Sequence, residues 1–327
     1  MEEKKYSITE VETKATDFLN RKKKKNETTF LNYRTSINYF LYYLKHISKE
    51  PELTSGNKEA VIEDFQGTLL EGFIYAVEGN EKHIELKPST VNTHIRRTKT
   101  FLNSIGLGIE NLKKLPVNEP EYKALDVEEI KLLIAECPNY WKKEEIAVRN
   151  STLIRFLFNT AFRINEALGI KTSEVYSEGS NYFVKIHEKG KSKGLLKEVA
   201  ISENTYNMLQ DYIKIKAVPS DYVFSSIKPS AELEGKAKKY SRENFNKAVR
   251  ELAKYVDFKH NTNISKTVEN NSSHFLRHSK SLYLLNVKKL DVTKVKRILR
   301  HESINSTLIY LNHDRKTIDN IRINNDI

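Results

Sequence analysis

The chain has 327 residues, 30% of them charged, with a formal net charge of +12 and a single cysteine. That length suits about two ordinary domains. A mean hydropathy of −0.59, with no apolar run near the roughly 20 residues that a membrane helix needs, excludes a membrane partner, and Cys137 alone excludes a disulfide framework or a cysteine-rich zinc site.

The positive excess is uneven: residues 1–120 carry a net +2 and the remainder +10. With a pI near 9.3, this is a footprint for a polyanionic partner, and the main phosphate-facing surface is expected in the second part. The opening MEEKKYSITE contains acids and no apolar core, so it does not read as a signal peptide and a cytoplasmic location is expected.

Four helices are expected in the first part, near 8–22, 27–48, 57–78 and 89–105. In the second, Phe30, Tyr33, Ile37, Phe40, Leu41 and Leu44 recur at the spacing of one helical face. The fourth starts at Lys87-Pro88, a good entry, and turns Val91, Ile95, Phe101 and Leu102 inward with Arg96, Arg97 and Lys99 outward. The basic run Arg21–Lys25 reads either as a solvated charge run or, through Lys22, Lys23, Lys24 and Lys25, as a phosphate contact. Residues 107–125 lack a period and hold Gly and two Pro, the signature of a linker between a domain at 1–106 and one at 126–327.

Asp126 followed by Glu129 starts a capped helix running to about 136, and the long apolar stretch 146–170 predicts one or two buried helices. Over 175–202, apolar residues alternate around a Gly/Lys/Ser turn, which predicts a hairpin or a small three-stranded antiparallel sheet. Helices resume near 203–216, 241–256, 275–286, 291–300 and 304–312. The fold expected is mainly α with a small antiparallel sheet. The helix at 241–256 offers Arg242, Lys247 and Arg250 to DNA.

Six residues in the second part make chemical sense around one phosphate: Arg163, Lys189, His274, Arg277, His301 and Tyr310. Two guanidiniums clamp non-bridging oxygens in forked geometry, imidazoles donate to them or move protons, a lysine protonates a departing oxygen, and a phenol attacks. Such a set works without a metal or other cofactor, because cationic side chains do the metal's work. Taken singly, none of these residues is informative, and an H-x-x-R alone is weak.

The ordered set resembles the tyrosine recombinase (phage integrase) family. R-I-N-E-A-L-G from Arg163 is similar to the family's first box, K-G-K-S-K at Lys189 to its hairpin lysine, and H-F-L-R-H at 274–278 to its H-x-L-R-H box. His301, followed nine residues later by Tyr310, is similar to its last histidine and nucleophile. The resemblance implies those six as the active site, with Glu166 bracing the first box. It implies a two-domain clamp on double-stranded DNA at a specific site, self-association there as a dimer or tetramer, and strand cleavage and rejoining through a 3′-phosphotyrosine. Lys191 and Lys193 compete with Lys189 for the hairpin role, while His278 and His313 read as structural or surface residues.

The chain departs from the pattern in four places. Ala161 and Arg300 stand where the family has Gly, NVKKLDV lacks the family's loop Gly, and Ser-Ser precedes His274. Gly at such places permits positive φ or close approach. These departures keep open a second class, a recombinase-derived phage repressor that binds its DNA site and never cuts it. A metal-dependent nuclease is a distant third, since the sequence shows no carboxylate cluster for two metals.

Overall fold

A computed structural model describes residues 4–117, 124–187, 196–271, 273–308 and 310. The chain divides into two compact units, Met1–Pro120 and Glu121–Ile327, each with its own core.

The first unit contains helices α1 (Ile8–Lys25), α2 (Glu27–His46), α3 (Lys58–Glu71) and α4 (Pro88–Ser104). Ser7 caps α1 in a reciprocal box with Glu10. Asn26, in extended conformation, separates α1 from α2 and caps the latter by accepting from the Thr29 N–H at 3.0 Å. The core is aromatic at its centre, with Phe40, Phe65 and Phe101 fully buried among Ile37, Ile62 and Leu69. Two antiparallel strand pairs accompany the helices: β1 (Lys5–Ser7) with β2 (Glu52–Thr54), and β3 (Phe73–Val77) with β4 (Asn80–Ile84).

The third helix therefore ends sooner than its sequence suggested. Gly72, at φ +95°, stops α3, and FIYAV continues as a strand; Glu78 and Gly79, both with positive φ, make the tight hairpin turn that right-twisted strands prefer. The proposed linker is also corrected over its first half. Leu107 and Ile109 are buried, Leu112 and Leu115 pack on the same core, and the Asn92 side chain bonds both the N–H and the carbonyl of Leu115 at 2.9 Å.

The second unit is built around α6 (Glu144–Thr160), whose Leu153, Ile154, Phe156 and Leu157 are buried and which packs on α5 (Val127–Tyr140). Asp126 and Glu129 form the expected capping box of α5: the Asp126 carboxylate accepts from the Glu129 N–H at 2.8 Å and the Glu129 carboxylate from the Asp126 N–H at 2.9 Å. After the short α7 (Ile164–Leu168) comes the three-stranded antiparallel sheet, β5 (Val175–Glu178), β6 (Asn181–His187) and β7 (Leu196–Ile201), in sequential order. Next follow α8 (Glu203–Lys214), the strand pair β8 (Ser225–Pro229) and β9 (Ala237–Lys239), α9 (Arg242–His260) and α10 (Ile264–Asn271).

The α9 face of Phe245, Val249, Leu252, Ala253 and Val256 joins the main core. α11 (His274–Leu282) runs into a π-helical turn, Tyr283–Val287, and is followed by α12 (Val292–Leu299) and α13 (Asn305–Leu308). The sequence reading missed α10 and the β8–β9 pair. Both are too short to show a hydrophobic period. Among the described residues, no helix is long and apolar enough to cross a membrane.

Glu136 ties α5 to α9. Its buried carboxylate accepts from Lys259 at 2.7 Å and bonds His260 at 2.9 Å. Burial raises its pKa, but hydrogen bonds from Lys259, Asn139 and His260 outweigh that and hold it at about 2. A depressed carboxylate stabilises the fold above its unfolded pKa and loses that contribution as pH falls through the folded one. Glu136→Gln is thus expected to melt below wild type at neutral pH, with the gap closing between pH 4.5 and 2; a gap independent of pH in thermal melts would exclude this account.

Candidate active site

Five of the six proposed catalytic residues lie among the described residues, and they meet at one end of the second unit. Lys189, with Lys191 and Lys193, falls outside the described residues. Arg163 directly follows the turn after α6 and precedes α7, where its side chain stays 30% exposed. Its backbone N–H and its Nη1 donate to the two oxygens of Glu166 at 2.9 and 2.8 Å, so Glu166 braces this arginine from both sides. His274 opens α11 and is exposed, and Arg277 lies one turn later, 4% exposed.

Arg277 donates through Nη1 to the Ala161 carbonyl at 2.6 Å and through Nη2 to the Leu299 carbonyl. Those carbonyls end α6 and α12, so one guanidinium caps two helix C-termini, where the helix dipoles favour a cation. Burial, and the nearby charges of Arg163 and Arg300, lower its pKa to about 10.

Two of the departures from the family pattern now have a physical form, and so does the missing loop glycine. Ala161, Lys289 and Arg300 all adopt left-handed backbone, at φ +53°, +51° and +55°. The chain makes three kinks with side chains where glycine would be unstrained, at roughly 1–2 kcal/mol each. Arg300 draws a compensating ion pair from its position. Its guanidinium is 7% exposed, donates to Glu166 at 2.8 Å and lies 4.2 Å from the centre of the Phe162 ring. Glu166 thus serves two arginines at once. Burial pushes its pKa up, but the Arg300 charge and the Arg163 hydrogen bonds hold it below the ordinary carboxylate range.

His301 follows immediately. Burial, then Arg277, Arg163 and Arg300, push its pKa down to about 4, so it is neutral at neutral pH. Its Nδ1 lies 2.8 Å from the Thr307 hydroxyl. With that hydroxyl donating, Nδ1 is the acceptor and Nε2–H is left to donate to an anion. Tyr310 lies beside it, with the rings nearly parallel at 14° and centroids 6.5 Å apart. Tyr310 is 3% exposed among Ala161, Leu284, Leu285, Val295 and Leu299, and its hydroxyl is 2.7 Å from Nδ1 of His278. His278, read from sequence as structural or surface, is therefore in direct contact with the phenol. The H-x-L-R-H box contains it, but nothing local announces the contact, which spans 32 positions. His313 lies outside the described residues.

The proposed phosphate contacts differ in readiness. Lys22, Lys24 and Lys25 line a cleft of about 420 Å³ with Arg21, Phe18 and Ser104, and the Lys22 ammonium sits 4.6–4.8 Å from the Tyr33 and Phe18 rings. Lys23 packs instead toward the Phe30 ring at 5.5 Å. On α4, Arg96 is exposed and Arg97 and Lys99 are half-buried. On α9, exposed Arg242 pairs with Glu243 at 3.0 Å and exposed Lys247 approaches Glu251 at 3.9 Å, while Arg250 is half-buried.

The kinks lead to opposite outcomes for the same substitution. Lys289 is exposed, and Lys289→Gly relieves the left-handed backbone, raising stability by about 0.5–1 kcal/mol. Arg300→Gly relieves the same strain but removes a buried partner of Glu166, a loss of about 3 kcal/mol that outweighs the gain. Urea titrations that show both variants shifting in the same direction would contradict this.

The model of the Phage integrase family matches residues 123–317, more than half of the chain. A probable integrase/recombinase protein of Methanocaldococcus jannaschii is 27% identical over 194 residues, which cover 58% of this chain and 52% of that one. The tyrosine recombinase XerH of Helicobacter pylori is 24% identical over 277 residues, covering 81% of this chain and 66% of its own, so the chain spans only about half to two thirds of these relatives. Among solved structures, the Tn1549 transposon integrase in complex with transposon right end DNA shares the fold at a TM-score of 0.68 and 14% identity, over 95% of this chain and 99% of that one. On the family match, with the ordered boxes that the second unit carries, the chain belongs to the phage integrase family of tyrosine recombinases.

Proposed function

We propose that the chain binds double-stranded DNA at a specific site and cuts and rejoins it through a 3′-phosphotyrosine at Tyr310. The observation that carries this is the gathering of three guanidiniums, from Arg163, Arg277 and Arg300, near the Glu166 carboxylate and beside His301 and Tyr310. The cluster keeps a surplus of positive charge in a partly desolvated place, and a phosphodiester supplies the missing anion.

In this reading, Arg163 and Arg277 hold the non-bridging oxygens with the N–H groups left after their internal bonds, since each guanidinium has five. Nε2–H of His301 donates to the same oxygens as charge builds on them. The Tyr310 oxygen bonds to phosphorus as the bond to the 5′ oxygen breaks. Lys189, by resemblance to the family, protonates that oxygen so that it leaves as an alcohol, and the reverse attack rejoins the strand. The basic cleft around Lys22 and the arginines of α4 contribute phosphate contacts that set register rather than read bases. Self-association on the DNA belongs to the same reading, because exchanging strands requires more than one nucleophile.

A second reading, an operator-binding repressor, is favoured by one specific feature. Several of the cluster's groups already have partners within the protein: Tyr310 is buried with its hydroxyl at His278, Arg277 donates to two carbonyls, and Arg300 lies on Glu166, although its buried Nε has no partner among the described residues. A protein that never cleaves needs nothing more from these groups.

One experiment separates the two. The full chain selects a duplex from a randomised pool, and that duplex, nicked near its centre, is incubated with the protein and examined for an SDS-resistant adduct. The first reading expects an adduct with wild type and none with Tyr310→Phe, at nearly equal affinity. Tight binding with no adduct from wild type would establish the repressor reading in its place. In either case, log affinity should fall steeply with log salt, by about 0.9 for each phosphate neutralised; a flat slope would remove DNA binding itself.

A further inference from the structure

We propose that His278 is a catalytic residue of this strand transfer: it holds the Tyr310 hydroxyl and receives its proton as the phenol attacks phosphorus. The inference rests on the strand-transfer reading above.

Tyr310 is only 3% exposed, so its hydroxyl proton has no open route to bulk water and needs an acceptor within the protein. His278 Nδ1 is 2.7 Å from that oxygen, a distance for direct transfer, with the ring centroids 5.5 Å apart. A phenol is the stronger donor of the two groups, so Nδ1 accepts and the imidazole hydrogen sits on Nε2.

His301, whose ring lies beside the phenol, is a rival acceptor, and its surroundings disqualify it. Its Nδ1 is engaged by Thr307, and three guanidiniums oppose its taking up a proton. His301 is thereby suited to donate to phosphate and His278 to accept from phenol.

The backbone couples this pair to the phosphate clamp. His278 follows Arg277 on α11, so the two side chains leave the helix about 100° apart. One reaches the α6 and α12 carbonyls, the other the phenol. A single rigid helix therefore fixes both the cation that holds phosphorus and the base that frees the nucleophile. The Arg277 charge also lies close enough to interact with Tyr310, which favours the phenolate as the proton departs.

The step balances. The Tyr310 oxygen–phosphorus bond forms while the bond from phosphorus to the 5′ oxygen breaks. The phenol proton passes to His278 Nδ1, and the 5′ oxygen takes its proton from the lysine ammonium. On rejoining, His278 returns the proton to the phenol.

The test uses the full chain and the selected nicked duplex, in two forms: an ordinary phosphodiester at the cleaved bond, and a 5′-bridging phosphorothiolate there. Sulfur leaves without a proton, so the second form bypasses any need for an acid on the leaving-group side but not the need for a base at the nucleophile. His278→Asn keeps a hydrogen-bonding atom near Nδ1 yet takes up no proton, and His278→Gln serves should the first variant melt early. Affinity is expected to stay at the wild-type value while the rate of adduct formation falls at least about 100-fold on both substrates.

Adduct rates within about twofold of wild type would overturn the proposal, as would recovery on the phosphorothiolate, which would move His278 to the leaving-group side. If wild type binds and forms no adduct at all, the strand-transfer reading fails first and the role of His278 fails with it, before any variant is compared.

Discussion

The carboxylate of Glu166, 3% exposed at its side chain, holds together a site that would otherwise repel itself. Arg163 and Arg300 both pair with it, and Arg277 lies near enough to feel all three charges. Guanidiniums gathered away from water raise one another's energy, and one buried anion offsets only part of that. What remains is an unbalanced positive centre. Burial first, and this charge with it, lower the pKa of Arg277 below that of an ordinary arginine and keep His301 neutral. The same electrostatics suit His301 to donate rather than to take up a proton.

The backbone around this centre is bent to suit one guanidinium. Arg277 bonds the carbonyl of Ala161, which is itself left-handed, and that of Leu299, which precedes left-handed Arg300. The two kinks aim the ends of α6 and α12 at the same cation. Helix termini leave carbonyls without intrahelical partners, and a buried arginine satisfies two helices together. Arg300 accepts backbone strain at its kink and returns a buried ion pair with Glu166, together with packing against Phe162. Ala161 and Lys289 carry strain of the same kind. The buried Ala161 contributes its methyl to the cluster around Tyr310, whereas exposed Lys289 makes no comparable contact among the described residues.

The first unit uses different physics. Its core is dense in aromatic rings, and several of its cations rest on those rings: Lys22 on Phe18 and Tyr33, Lys23 and Arg34 on Phe30. A cation over a ring face keeps its charge while its stem covers apolar surface, which suits a surface meeting phosphates rather than one fixing a reaction. The second unit concentrates charge in a buried cluster; the first spreads it along α1 and α4.

The helices with a clear period were legible in the residues themselves. Asp126 and Glu129 start α5, Lys87-Pro88 starts α4, and the alternation over 175–202 becomes three paired strands, because capping and hydrophobic spacing are local properties. The ordered Arg, His-x-x-Arg, His and Tyr boxes were equally legible as a set. Elements without a period were not: FIYAV read as helix until Gly72 and the Glu78-Gly79 turn broke it, and the stretch after Ser104 read as linker although Leu107 and Ile109 are core. Sequence could also name Ala161 and Arg300 as misplaced without saying what they do. That Arg300 turns onto Glu166, that Arg277 joins two helix ends, and that His278 rather than a more conspicuous histidine meets Tyr310 were decided by tertiary structure. Each is a contact between segments 32 or more positions apart or between separate helix ends, where local propensity carries no information and only packing brings the groups within bonding distance.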